Sequence, residues 1–323
     1  MITEKFSRLH KLELAPLCTP VEKMERLSAS IKGAPSLFIK RDDFIGQLVW
    51  GNKLRKLEYT FARAIEVGAD TVITCGGVQS NHARTTAQIA KRLGLECVLV
   101  LNGDKPANSN GNYRVVDLMK TKVIFIKGRE ERAAAMNEVA ENTRRSGRHP
   151  FIIPLGASDV TGVPGFAAAM GELEEQMKTM STFFTHIYHS TSSGGTQAGL
   201  EAGKRIYARD IVIRGISADD PADAIAVKVS SLVNDFFTSL DEGIRIGPED
   251  VNVFDEYTGP GYGIPSAMSE RAASLFLEHE GILLDDTYTA KAAAALIDHC
   301  ERGYFRETDK VLFWHTGGII AKL

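Results

Sequence analysis

Residues 187–216, IYHSTSSGGTQAGLEAGKRIYARDIVIRGI, read as strand, glycine loop, helix and strand in succession. The runs at 187–189 and 211–216 are short, β-branched and not alternating, which suits central strands of a parallel sheet covered on both faces. Between them, residues 196–207 carry a helical pattern. A helix that returns the chain to a parallel strand is the right-handed crossover of an α/β architecture.

Outward from this unit the same alternation recurs. A strand-like run at 37–40 precedes a helix beginning near Lys53, 71–74 precedes a helix over 81–93, and 97–101 precedes one over 112–119. The run 123–126 leads into a helix across 130–145, and 151–153 into a helix over 165–180. Later come a strand at 251–254, helices across 266–278 and 289–302, and a final strand at 311–314. No fixed period repeats, and no low-complexity linker divides the chain. These strands outnumber what one compact sheet needs, so two parallel sheets with a ligand between them are expected.

Composition narrows the function classes. A net charge of −3 over 323 residues, with 24% charged residues, leaves no electrostatic footprint for nucleic acid or an anionic membrane surface. The N-terminal MITEKFSRLHKLEL lacks an apolar signal region and no apolar run reaches membrane-span length, so a cytoplasmic protein is expected. Cys18, Cys75, Cys97 and Cys300 are scattered without a C-x-x-C pair, which points to buried free thiols. His186 and His189 are three apart on a strand and face opposite sides, so no metal site is expected.

Four glycine-marked loops fall at or near strand ends: CGGVQSNH (75–82), SSGGT (192–196), GPGYG (259–263) and HTGG (315–318). In open α/β sheets ligands sit at the carboxyl ends of strands. The SSGGT loop follows a strand and opens a helix, so its N–H groups form a concave anion cradle, although it lacks P-loop and G-x-G-x-x-G spacing. An ordinary strand-to-helix turn is the alternative.

The stretch GNKLRKLE (51–58) places Lys53, Arg55 and Lys56 at a helix N-terminus, where the macrodipole disfavours cations. A solvated surface cluster balanced by Glu58 and Glu66 is one reading, and a phosphate at the helix end is the other. A phosphate-bearing aldehyde cofactor needs a lysine for an imine, a cation or dipole for its phosphate and a partner for its ring nitrogen, and pyridoxal phosphate fits that list.

These stretches, with IKRDD (39–43), GGVQSNHAR (76–84), SSGGTQAGL (192–200), GPGYGIP (259–265), TYTAKA (287–292) and HTGG (315–318), occur in family order over nearly the whole chain. The sequence resembles the fold type II pyridoxal-phosphate enzymes, the tryptophan synthase β family. It is most similar to the branch holding D-cysteine desulfhydrase, L-cysteate sulfo-lyase and 1-aminocyclopropane-1-carboxylate deaminase. The resemblance implies a two-domain α/β fold: a large cofactor-binding domain over residues 1–50 and 160–323, and a smaller one over 51–159. It also implies a homodimer acting on a small amino acid.

Carried over by position, Lys53 is the Schiff-base lysine and the base for the α-proton. Lys56 holds the cofactor phosphate with Ser193, Gly194, Gly195 and Thr196. Asn81 meets the ring oxygen, Ser80 with Asn81 and His82 receives the substrate carboxylate, Tyr262 and Tyr288 line the pocket near the substrate side chain, and Thr316 faces the pyridine nitrogen. A neutral hydroxyl at that nitrogen stabilises a carbanion less than a carboxylate would, so a leaving group at Cβ departs promptly, which suits β-elimination. Arg55 is left as a surface or pairing residue, and Asp42 and Asp43 as turn and pairing residues.

Departures from the family pattern bear on the substrate. Trp50 stands where glycine is usual and is expected to narrow the pocket or change its substrate. His82 replaces the usual Gln, and Thr289 replaces the Glu of the deaminases, which argues against cyclopropane opening. Asp286 stands where Pro is common, and the chain stops five residues after Gly318 where the family continues. The reading is therefore a D-cysteine desulfhydrase, with an L-cysteate sulfo-lyase second and a deaminase third. A catalytically silent cofactor- or amino-acid-binding protein of this fold is the reading from a different class.

Overall fold

The computed structural model describes residues 2–46, 50–207 and 210–322. Among them ten strands form two sheets. They are β1 (Val21–Lys23), β2 (Ser36–Arg41), β3 (Thr71–Gly77), β4 (Glu96–Asn102), β5 (Lys122–Ile126), β6 (Pro150–Ile152), β7 (His186–Thr191), β8 (Val212–Ser217), β9 (Asn252–Phe254) and β10 (Lys310–His315). The larger sheet has the order β1-β2-β10-β7-β8-β9 and the smaller β5-β4-β3-β6. The smaller sheet is wholly parallel. In the larger one every pair is parallel, as expected, except that β1, an added edge strand, runs antiparallel to β2 and pairs Val21 with Lys40. Three residues at an edge carry too little periodicity to be read from sequence.

Both sheets are buried on both faces, as their unbroken apolar strands require. The helices Ala267–Glu280 and Thr289–Glu301 cover one face of the larger sheet, and Val163–Thr179 and Gly195–Ile206 the other. On the smaller sheet, Lys53–Glu66 and Asn81–Arg92 cover one face and Arg132–Arg145 the other. The helix Ala222–Ser239, unassigned in the sequence reading, buries Ile225, Val229, Val233 and Phe236 against Gly195–Ile206. No described helix is long and apolar enough to cross a membrane.

The helix Lys53–Glu66 ties the two sheets together through Arg55, which is 1% exposed and not a surface residue. Its Nε and Nη2 each donate to Asp42 at 2.7 Å, a bidentate fork, and Nη1 donates to Glu172 at 2.8 Å. Asp42, at the end of β2, also accepts from Trp314 Nε1 of β10 at 2.8 Å and from Thr19 Oγ1 at 2.8 Å. Burial works against the Asp42 charge, but Arg55 outweighs it and holds the carboxyl below its usual range. Lys40 completes the cluster on Glu172, Gln176 and the Thr19 carbonyl. Glycine at position 165 is required here, because a Cβ would collide with the Arg55 carbonyl. Glu58 and Glu66 do not balance Lys53, Arg55 or Lys56: Glu58 is buried and accepts from Leu14 N–H at 2.7 Å, and Glu66 bonds His10 at 3.0 Å and Arg63 at 3.3 Å.

Removing one member of a buried ion pair strands the other charge. Arg55→Met is expected to cost about 3–5 kcal/mol of unfolding free energy. Urea denaturation checks this, and Trp314, which shares Asp42 with Arg55, should report the change in its fluorescence.

Candidate active site

The carboxyl ends of β3, β7, β8 and β10 converge on a cavity of about 620 Å³ between the two sheets. Lys53, Ser80, Asn81, His82, Ser193, Gly194, Thr196, Tyr262, Tyr288 and Thr316, read separately from sequence, all line it. Gly195 and Lys56 lie directly behind the wall.

Lys53 is the first residue of its helix, and Asn52 before it offers no side-chain cap. Its Nζ lies 5.9 Å from the centre of the Tyr288 ring. Burial presses its amine down to about 8, while Asp285 works in the opposite direction. Asp285 is 1% exposed and accepts from the N–H groups of Thr287, Tyr288 and Thr289 and from the Thr289 hydroxyl, at 2.7–3.0 Å. One carboxylate therefore both favours the charged Lys53 and fixes the backbone of Tyr288.

The SSGGT loop has the geometry of an anion cradle. Gly194 caps the helix Gly195–Ile206 at φ 82°, a left-handed conformation that favours glycine. A Cβ on Gly195 would sit 2.5 Å from Ser158 Oγ and 3.0 Å from Lys56 Nζ, so the missing side chain leaves the helix N-terminus open beside an ammonium. Ser158, not singled out from sequence, lies 2.8 Å from Ser193 Oγ and accepts the Gly195 N–H at 3.2 Å. Lys56 is 1% exposed and forms no ion pair among the described residues. Burial, and then Lys53, push its amine well below the usual lysine range, with Asp159 opposing them. A buried unpaired cation at a helix N-terminus fits a phosphate ester.

Facing the cradle, Ser80 caps the helix Asn81–Arg92 by accepting the Ala83 N–H at 3.1 Å, which leaves its own O–H to donate. His82 Nε2 lies 2.8 Å from Thr74 Oγ1, whose single proton goes to the Ile153 carbonyl at 2.7 Å. Nε2 must then carry the imidazole proton. Burial first, then Lys56 and Lys53, hold this ring well below its ordinary pKa, with the Pro154 carbonyl opposing them, so the ring is neutral and its single N–H is spent inside the protein. The His82 side chain thus offers no donor to a carboxylate, and only its backbone N–H can serve the role assigned to it from sequence.

The hydroxyls of Tyr262 and Tyr288 lie 2.5 Å apart. Burial raises both, Tyr262 to about 12 and Tyr288 well above its usual value. The loop carrying Tyr262 is held by Lys291, whose ammonium donates to the carbonyls of Thr258, Gly261 and Ala218 at 2.6, 2.7 and 2.9 Å. Thr316 Oγ1 is 3.4 Å from Ser190 Oγ. At the mouth, Arg132 donates to Asn102 through Nε at 3.0 Å and through Nη2, and forms no ion pair among the described residues. Arg129, which follows β5, reaches Asp219 at 3.2 Å and Asp220 at 3.3 Å, which follow β8, so exposed ion pairs bridge the two sheets across the opening.

Two sequence expectations are corrected. Trp50 is not among the described residues of the cavity wall: its ring lies under the Arg92 guanidinium at 5.2 Å and packs into the smaller sheet's apolar cluster. It therefore does not narrow the pocket. Cys18 is exposed, whereas the other cysteines are buried.

Comparisons with known proteins agree with this geometry. The family model for a pyridoxal-phosphate dependent enzyme matches residues 12–317. A D-cysteine desulfhydrase of Yersinia enterocolitica serotype O:8 is 36% identical over 325 residues, covering 99% of this chain and 97% of the relative. One from Klebsiella pneumoniae subsp. pneumoniae is 36% identical over 326 residues, covering 99% and 98%. The crystal structure of an ACC deaminase homologue superposes with a TM-score of 0.90 at 34% identity, covering 100% of this chain and 96% of that one. The structure of maize serine racemase, at 19% identity, TM-score 0.65 and coverage of 98% and 92%, shares the fold.

Only a neutral amine attacks an aldehyde, and the neutral fraction of Lys53 grows as pH rises through about 8. The rate at which stripped protein takes up added pyridoxal phosphate, followed by visible absorbance, should climb about tenfold per pH unit below that point and level off above it. A rate that keeps climbing to about pH 10, as an unperturbed lysine requires, contradicts the assignment.

Proposed function

The chain belongs to the pyridoxal-phosphate dependent enzyme family, and from that premise we propose that it removes the β-substituent of a small amino acid, D-cysteine before others, giving pyruvate, ammonia and sulfide. The observation that carries this reading is Lys53 facing the hydrogen-bonded tyrosine pair on one cavity wall, with the anion cradle on another. Pyridoxal phosphate, bound there, supplies the electron sink that lets an α-proton leave.

The protein's own groups supply the rest. Lys56, Ser193 and the helix N-terminus at Gly194, Gly195 and Thr196 hold the phosphate. Asn81 would serve the ring oxygen and Thr316 the pyridine nitrogen. Ser80 and the N–H groups of Asn81 and His82 receive the substrate carboxylate at the start of the helix Asn81–Arg92. Lys53 would hold the cofactor through its amine, and when not so engaged that amine would serve as the base for the α-proton. Tyr262 and Tyr288 remain protonated because burial raises them, so either can give an O–H to the departing sulfur. The same reading divides the chain into a smaller domain over 51–159 and a cofactor-binding domain over 1–50 and 160–323, and makes it a cytoplasmic homodimer.

A second substrate, L-cysteate, is favoured by one observation: Arg132 at the cavity wall has only the neutral Asn102 as partner among the described residues, which suits a sulfonate. The deaminase reading is weaker, because Thr289, in place of an acidic residue, spends its hydroxyl on Asp285 at 2.7 Å.

Pyruvate release from D-cysteine, L-cysteine and L-cysteate, with 2-oxobutyrate release from 1-aminocyclopropane-1-carboxylate, ranks these readings. D-cysteine should lead, and 2-oxobutyrate at a comparable rate overturns the order. Lys53→Ala should abolish turnover, and Tyr288→Phe should lower kcat by roughly 10²–10⁴ if its O–H takes part in proton transfer. No turnover of any of these substrates by the cofactor-loaded protein would instead favour the silent binding protein.

A further inference from the structure

Asn81 can serve a ring oxygen only if its amide presents NH₂ to the cavity, and an amide's orientation is set by what holds its other end. Asn81 lines the cavity, and its Oδ1 accepts from Asn112 Nδ2 at 2.9 Å. Asn112 is 0% exposed, on the helix Gly111–Leu118 beyond the cavity wall, and nothing in its sequence surroundings marks it.

The polarity of Asn112 is fixed from two sides. Its Oδ1 receives Arg84 Nε at 2.6 Å, and a guanidinium only donates. Its Nδ2 donates to the Gln79 carbonyl at 2.8 Å, and a carbonyl only accepts. Its backbone is held as well, since Asn112 N–H donates to Gln79 Oε1 at 2.8 Å while Gln79 Nε2 donates to Asn110 Oδ1 at 2.9 Å. Asn112 therefore cannot turn over without losing both side-chain bonds. If Asn81 turned over, two NH₂ groups would face each other and a buried donor would be left unmade. Its Nδ2 is thus left over, beside Gly318, where a Cβ would lie 3.2 Å away, and no acceptor meets it among the described residues.

We propose that Asn112, itself oriented by Arg84, is a positioning residue that locks the Asn81 amide so that it donates to the ring oxygen of the cofactor. This rests on the cofactor reading above. A donor on that oxygen draws its negative charge away from the neighbouring imine and makes the imine easier to deprotonate. Losing the donor raises the midpoint of that titration, and turning the amide over to present oxygen raises it further.

The test is the pH titration of the visible band of the bound cofactor, which requires no turnover. Asn112→Asp keeps the acceptor for Arg84 but cannot donate to Asn81, so Asn81 turns to donate to it and shows the cofactor its oxygen. The midpoint should rise by about one pH unit, the size of a hydrogen bond to a charged group. Asn112→Ala, which removes the lock without imposing the reverse orientation, should give a smaller rise in the same direction, and circular dichroism confirms that each variant is folded. In an Asn81→Ala background both effects should vanish, because the relay has lost its last member. Equal shifts with and without Asn81, or no shift in either folded variant, overturn the relay. A wild-type protein that gains no visible band with added pyridoxal phosphate overturns the cofactor reading itself, so the two failures are distinct.

Discussion

Three cations open one helix, and the placement of the cavity follows from how an α-helix distributes them. Residues i and i+3 share a face, whereas i+2 points away, so Lys53 and Lys56 turn one way and Arg55 the other. Arg55 finds carboxylates already in the protein, Asp42 and Glu172, and closes a buried network with β2, β10 and the helix Val163–Thr179. Lys56 finds none among the described residues. One short basic stretch thereby supplies both the anchor between the sheets and the lysine that lies beside the open helix start at Gly195. A buried ion pair contributes little net stability compared with an apolar substitute, but its demand for geometry fixes the helix start to within hydrogen-bond tolerance. Lys53 depends on that fixity, since it is two residues from the anchor.

Much of the fold is written in the alternation of short β-branched runs with helical segments: 37–40, 97–101 and 211–216 became strands within one residue of where the runs begin and end, and 71–74 one that runs three residues further. What escaped did so for separable reasons. The edge strand Val21–Lys23 is shorter than any period that could reveal it. The helix Ala222–Ser239 does carry spaced apolar positions, Ile225, Val229, Val233 and Phe236, but no glycine motif drew attention to it. The glycine loops of the site were legible because tight approach leaves a mark in residue type. Ser158, Asp285 and Asn112 were not, because each acts only through a neighbour brought close by folding: Ser193, Tyr288 and Asn81 respectively. Arg55 was legible as a pairing residue but not as a buried one, since clustered basic residues usually lie at the surface and its partners Asp42 and Glu172 are brought close only by folding.

The cavity separates its charges by task. The cradle side offers Lys56 and a helix N-terminus, an amine and backbone N–H groups that only donate. The tyrosine side offers two neutral hydroxyls whose protons are held tightly by burial. Between them stands Lys53, whose amine burial presses down to about 8. Desolvation produces each of these differences, acting with opposite sign on a cation and on a phenol.

The two sides of the cavity are also joined by fastenings of very different character. At its base the sheets are pinned by Arg55 and Asp42, sealed from water, while at its rim they meet through Arg129 and the carboxylates of Asp219 and Asp220 in the open. Dissolved ions reach the second and not the first. Salt therefore acts as a selective lever: it slackens the clasp at the entrance while leaving the joint at the back, on the helix that carries Lys53, untouched.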